Sequence, residues 1–126
     1  MRIVFVCVEN SNRSQMAEAF GHMLGIEAYS AGSQPSGRVN PKAVAAMREL
    51  GYDLTTHVSK GLDDLPAVPF DAAVTMGCGD QCPNLKATRR EDWNIPDPKE
   101  MPADLFCQVR DLIGSKVKQL VGELAG

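Results

Sequence analysis

A chain of 126 residues, 44% hydrophobic and 23% charged, has material for one hydrophobic core, so a single domain over residues 1–126 is expected. Its net charge of -3 excludes the basic bias of a nucleic-acid binder, and no run of Lys and Arg offers a membrane-surface patch. No stretch nears the ~18 apolar residues of a membrane span. The opening run, Met1 to Val8, lacks the length and flanks of a signal peptide. A cytoplasmic setting is therefore expected. There the four cysteines, Cys7, Cys78, Cys82 and Cys107, suit thiol chemistry or metal binding better than structural disulfides.

In chain order, Arg2 to Val8 is an almost unbroken apolar, β-branched run, the pattern of a parallel strand buried on both faces. Asn12, with Gln15 three residues later, marks a helix start. Met16, Phe20, Met23 and Leu24 trace that helix's apolar face, and Gly25 ends it. Glu27 to Ala31 reads as a short strand. Pro41 to Leu50 reads as a helix, with proline in its first turn and Gly51 just past its end. Phe70 to Met76 is the next strand. A region rich in Gly, Pro and polar residues, Gly77 to Pro98, holds a short strand near Thr88 to Asp92. Pro102 to Leu124 carries Leu105, Val109, Leu112, Ile113, Val117, Leu120 and Leu124, a long amphipathic helix. Strands alternating with helices imply an α/β sandwich around a mostly parallel sheet, whose ligands sit beyond the carboxyl ends of the strands. Cys7, Cys78 and Cys82 each follow a predicted strand end, so they can share one mouth.

The first motif is Cys7-Val8-Glu9-Asn10-Ser11-Asn12-Arg13-Ser14, a Cys-x5-Arg-Ser loop between strand and helix. A turn that enters a helix N-terminus directs backbone N–H groups inward and makes an anion nest. The helix dipole adds partial positive charge, and Arg13 adds a donor fork suited to a tetrahedral oxyanion. The same field favours a thiolate at Cys7, so one device builds both nucleophile and substrate site. Ser14 is placed to hydrogen-bond the sulfur. The bare spacing is weak; its position between a buried strand and a helix gives it weight.

Gly77-Cys78-Gly79-Asp80-Gln81-Cys82-Pro83 sets two more thiols on a loop whose glycines permit large backbone changes. Such a pair can relay oxidation, one thiol attacking and the next resolving the disulfide. The competing reading is half a zinc site. Zinc needs about four ligands, and the two histidines, His22 and His57, show no ligand spacing to each other. No metal and no cofactor are expected. Cys107 lies off the apolar arc of its helix and reads as a spectator. Asp97, in Asp97-Pro98, can supply the proton that a departing oxygen needs. Asp-Pro is also an ordinary turn starter, and on the residues alone Asp80 and Asp92 compete with it.

Together these residues resemble the low-molecular-weight protein tyrosine phosphatase superfamily, and within it the thiol-relay arsenate reductase branch. The resemblance spans nearly the whole chain. It takes in the Cys7 loop with its Arg13-Ser14-Gln15-Met16-Ala17-Glu18 continuation, Ser30-Ala31-Gly32 and Val39-Asn40-Pro41-Lys42-Ala43. It also takes in the Cys78/Cys82 loop, Trp93 and Asp97-Pro98. It implies a single α/β domain, a four-stranded parallel sheet with helices on both faces. It further implies Cys7 as nucleophile, Arg13 as oxyanion clamp, Asp97 as general acid, and an oxyanion held by Val8, Glu9, Asn10, Ser11, Asn12, Arg13 and Ser14. In the implied sequence Cys7 attacks arsenate and water leaves with help from Asp97. Cys78 then attacks Cys7 and releases arsenite. Cys82 resolves the Cys7–Cys78 bond, and thioredoxin or a glutathione/glutaredoxin system reopens Cys78–Cys82. A monomer is expected.

Three departures stand out. Glu9 replaces a common glycine, Asn12 stands where a second loop cysteine is common, and Lys60 stands where some relatives use a carboxylate to bind potassium. A lysine ammonium there would repel that ion, so no potassium site is expected. The alternative function is a phosphatase that hydrolyses phosphate monoesters through a phosphocysteine at Cys7, with no need of Cys78 or Cys82. A phosphoryl carrier or regulatory oxyanion-binding module is a third reading, one in which the acid and the relay would be accidental.

Overall fold

The computed structural model describes residues 1–76 and 85–126. Among them a four-stranded parallel sheet runs in the order β2 (Glu27–Gly32), β1 (Arg2–Cys7), β3 (Phe70–Thr75), β4 (Ala87–Asp92). β1 has a partner on each side, and every residue from Ile3 to Cys7 is buried, as its continuous apolar run requires. β4 is an edge strand, and its alternation of half-buried and exposed residues suits a strand with one partner. The helices are α1 (Arg13–Met23), α2 (Pro41–Arg48) and α3 (Ala103–Ala125). Short 3-10 turns cover Leu54–Thr56 and Leu62–Asp64.

Register fixes the two faces of the sheet. Ile3 and Phe5 align with Ala72 and Val74, and all four join Met16, Ala17, Met47, Phe106 and Ile113 in the main core. Val4, Val6 and Ala73 face the other way and pack with Phe70, Leu62, Leu65 and Val68. The three α-helices share the first face. Cover on the second face comes from the 3-10 turn at Leu62–Asp64 and the segment after it.

Most element bounds match the sequence reading to within two residues. α2 shows why: Asn40 accepts a hydrogen bond from Lys42 N, Pro41 occupies the first turn, and Gly51 takes φ 83° just beyond the end. Three expectations need correction. Asn12 precedes α1 but makes no side-chain cap, and Gln15 does not return to it, because the Gln15 amide donates to Asn10 and Val58 instead. α1 has no single apolar stripe: Met23 and Leu24 are exposed, while Arg13, Ser14, Gln15 and Glu18 are buried. In α3 the buried stripe is Phe106, Val109, Arg110, Ile113, Val117 and Leu120, and Leu105 and Leu112 face solvent. Arg110 earns its buried place by donating to the Ala46 carbonyl at 2.8 Å and pairing with Glu49 and Asp111.

Because all four strands are parallel, their carboxyl ends form one rim. Cys7 is paired with Gly32, Val6 with Thr75, and Thr75 with Asp92. Segments 8–12, 33–40 and 93–101 leave this rim together.

Candidate active site

Residues 8–12 curl between β1 and α1 with their carbonyls turned outward. Val8 O accepts from Gln34 N at 2.9 Å, Glu9 O from Ser36 N and Ser59 Oγ at 3.0 Å each, and Ser11 O from Asn40 N at 3.1 Å. With the carbonyls spent this way, the N–H groups of Glu9, Ser11 and Asn12 donate to no carbonyl among the described residues. Asn10 makes the turn possible by adopting φ 51°, a left-handed conformation that asparagine tolerates better than most residues. β2 presses closely from behind. A Cβ on Gly32 would lie 2.4 Å from Val8 O and 2.9 Å from Asn10 N, so only glycine fits there. The loop thereby keeps three N–H groups available, the arrangement an anion nest requires.

Hydrogen-bond directions at the sulfur follow from one unambiguous donor. The Lys60 N–H points at Asn10 Oδ1 at 2.9 Å, which sets the orientation of the Asn10 amide. Asn10 Nδ2 therefore donates to Ser14 Oγ at 2.8 Å. Ser14 keeps its own proton for Cys7 Sγ, 2.9 Å away. A donated O–H at that distance stabilises negative charge on the sulfur.

Arg13 is buried and held from two sides, its Nη1 donating to the carbonyls of Met76 and Ile95 at 3.0 Å each. Nη2 is left toward Asp97 Oδ2 at 3.9 Å. Trp93 anchors the acid's segment. It is buried against Phe5, donates its indole N–H to Glu91 at 2.7 Å, and hands the chain on to Ile95 and Asp97. Lys42 ties the same segment to α2 by donating to the Lys99 and Met101 carbonyls at 3.0 and 3.4 Å. Cys7, Val8, Glu9, Ser11, Asn12, Arg13 and Asp97 line one cleft of about 300 Å³. Glu9 points its carboxylate at Lys99 Nζ, 3.4 Å away, which offsets the negative charge it brings to the rim. Asn10 and Ser14 lie beneath the cleft as supports. Cys78 and Cys82 lie outside the described residues, as does Asp80. Asp92 is an exposed partner of the Thr75 hydroxyl at 2.5 Å at the end of the edge strand, whereas Asp97 reaches the cleft.

The family model described as low molecular weight phosphotyrosine protein phosphatase matches residues 2–126. The chain belongs to that family. The phosphatase-family chain is 42% identical over 124 residues to arsenate reductase 2 of Staphylococcus saprophyticus, covering 93% of each. It is 35% identical to the glutaredoxin arsenate reductase of Synechocystis sp., covering 98% of each. Among solved structures, one described as an arsenate reductase in the phosphate binding state superposes with a TM-score of 0.89 at 34% identity, covering 98% of each chain.

Sequence reading of this family member missed what lies behind the cradle. Glu18 is buried, accepts from Ser30 Oγ at 2.6 Å, and has Lys60 Nζ at 3.6 Å. His57 and His22, set apart by the sequence reading, come together on its other oxygen at 3.5 and 3.7 Å, with ring centroids 5.5 Å apart. Donor atoms of Glu18, His22 and His57 lie within 4.8 Å of one another, close enough for a metal ion. All four imidazole nitrogens are already engaged, however, with Tyr52, Gln15 and the Ala28 carbonyl, and Lys60 brings a positive charge. Glu18 and His22 sit one turn apart on α1, but Tyr52 and His57 lie 30 or more residues further along the chain, so no local spacing joins the two halves. Cys107 sits near the Glu49 carboxylate; burial pushes its thiol pKa up, and Glu49 adds to this while Arg110 opposes it.

Proposed function

We propose that this chain reduces arsenate to arsenite, with Cys7 as the nucleophile. The observation that carries the reading is the Cys7 sulfur held by Ser14 at the base of a cleft that also presents Arg13 and Asp97. The identity with proteins named arsenate reductase supports the choice of oxyanion. Arsenate enters the nest of inward N–H groups, and Arg13 binds two of its oxygens while keeping its grip on the Met76 and Ile95 carbonyls. Cys7 attacks arsenic, and Asp97 gives a proton to the departing oxygen, which leaves as water. Cys78 then attacks the Cys7 sulfur. The sulfur–arsenic electron pair stays on arsenic, so As(V) becomes As(III), and arsenite leaves as the Cys7–Cys78 disulfide forms. Cys82 transfers the bond to Cys78–Cys82, freeing Cys7. Thioredoxin or a glutathione/glutaredoxin system then supplies two electrons, in a cytoplasmic setting and to a monomer.

The test is NADPH consumption with arsenate, using thioredoxin with its reductase or glutaredoxin with glutathione and its reductase. Wild type, Cys78→Ser and Cys82→Ser are compared, and p-nitrophenyl phosphate hydrolysis is followed alongside. Both variants should lose arsenate turnover and keep ester hydrolysis. The second reading, phosphate monoester hydrolysis, is favoured by the family match and uses the same Cys7, Arg13 and Asp97. Ester hydrolysis without any arsenate turnover would establish it instead.

A further inference from the structure

Behind the cradle a row of side chains runs from Gln15 through His57, Tyr52 and His22 to the Ala28 carbonyl. Both ends of the row are acceptors. Asn10 Oδ1 is identified as oxygen by the Lys60 N–H. The part of Gln15 that faces Asn10 Oδ1, Asn10 O and Val58 O at 2.9, 3.1 and 3.0 Å is therefore its NH2 group. Its carbonyl oxygen then faces His57 Nδ1 at 2.9 Å. At the far end the Ala28 carbonyl faces His22 Nε2 at 3.1 Å. Between them, Tyr52 Oη lies 2.6 Å from His57 Nε2 and 2.8 Å from His22 Nδ1. These are four contacts, each requiring one proton. Two neutral imidazoles and a phenol bring three. With three, one contact sets lone pair against lone pair.

We propose that His22, Tyr52 and His57 share one proton more than their neutral forms carry, and that this charged relay positions the oxyanion cradle through Gln15 and Asn10. The direction of each bond follows. His57 Nδ1–H donates to Gln15, Tyr52 O–H donates to His57 Nε2, His22 Nδ1–H donates to Tyr52, and His22 Nε2–H donates to Ala28. The charge sits on His22, whose side chain is 37% exposed, and not on His57, which is 4% exposed. Burial is the largest cause holding His57 below the ordinary imidazole pKa; Glu18 and Asp53 oppose it, while His22 and Lys60 reinforce it. Burial, then Glu18 and Asp53, raises Tyr52, so the phenol remains a donor. Glu18 Oε2, 3.7 Å from His22 Nε2 and 3.5 Å from His57 Nδ1, is the counter-charge both rings face.

Gln15 couples this relay to the chemistry. Its NH2 group holds the Asn10 amide and carbonyl, and Asn10 in turn directs Ser14 onto Cys7. The relay is complete only in a window of pH. Above it the shared proton is lost and one contact fails. Below it His57 gains a second proton, and the phenol proton loses its acceptor. This part of the inference rests on the reading of the Cys7 loop as an oxyanion site.

Imidazole nitrogen NMR of the full chain counts the protons without reference to activity. At pH 7 the expected spectrum shows His22 protonated on both nitrogens and His57 on Nδ1 alone, with the second His22 proton lost in Tyr52→Phe. Two neutral rings, or His57 carrying its proton on Nε2, overturn the relay. Coupling to the cradle is read from inorganic phosphate binding by calorimetry between pH 6 and 9. Taking the ratio of variant to wild type cancels the titration of phosphate itself. Tyr52→Phe should bind about fivefold more weakly at pH 7, the cost of one lost hydrogen bond, and converge on wild type as pH rises. His22→Asn places an uncharged donor at the Nδ1 position, so it should keep wild-type affinity at pH 7 and lose the decline at high pH. A ratio that stays constant with pH in both variants overturns the coupling. If wild type binds no phosphate at all, the oxyanion reading fails, while the NMR count still decides the relay.

Discussion

Ser14 shows how much one hydroxyl can carry when its neighbours leave it a single role. It accepts from Asn10 Nδ2 on one lone pair, so its proton is left for Cys7 Sγ. Ser14→Ala removes a hydrogen bond to the nucleophilic sulfur and should lower kcat/KM for arsenate about 10- to 100-fold with the fold intact, as steady-state kinetics and circular dichroism would show. Lys60 carries a comparable argument. Its ammonium lies 3.6 Å from Glu18 Oε1, where a small cation would otherwise be attracted, and its backbone N–H orients Asn10. Replacing sodium by potassium at constant ionic strength should leave turnover and melting temperature unchanged; a rise in either with potassium would contradict this assignment of the charge. At this scale the sequence was half legible. Cys7 and Arg13 stand out because one loop brings them together. Gln15, Tyr52 and His57 do not, because each is an ordinary polar residue until the fold sets it against partners far along the chain.

Among elements, the meeting of β2 with the Cys7 loop is the tightest constraint. Gly32 ends β2, and its missing Cβ leaves room for the Val8 carbonyl and the Asn10 N–H. Gly32→Ala forces a backbone shift in the cradle. It should cost about 2–3 kcal/mol in chemical denaturation and weaken phosphate binding more than a comparable change remote from the rim. The strands and α2 were readable because their signals are local: a β-branched run in β1, and Asn40-Pro41 before α2 with Gly51 after it. α1 was misread because it is enclosed by the sheet and two helices. Its buried Arg13, Gln15 and Glu18 look like a solvent face in sequence, yet Gln15 and Glu18 find hydrogen-bond partners inside the protein and Arg13 commits Nη1 to two carbonyls while Nη2 stays toward the cleft. In α3, Phe106 and Arg110 shift the buried stripe by one position from the one that Leu105 and Leu112 suggest.

Across the whole molecule, the parallel sheet gathers four strand ends at one rim, and the chemistry collects there. Acid should loosen this assembly from the His57 side. Burial lowers the His57 pKa in the folded state, so the unfolded chain binds that proton more readily. The stability His57 contributes is therefore complete above the unfolded value of about 6.5 and is lost as pH falls below it toward the folded value. Urea midpoints measured from about pH 6.5 down to about pH 5 should fall more steeply in wild type than in His57→Gln. The thiol chemistry is tested most directly by a single turnover with no reductant present. Fully reduced protein mixed with equimolar arsenate should release one arsenite per chain, and peptide mapping should place the new disulfide between Cys78 and Cys82, with Cys7 a free thiol. If arsenate is recovered unchanged and all the thiols remain free, the chain is not an arsenate reductase, and its Cys7 cleft serves phosphate esters instead.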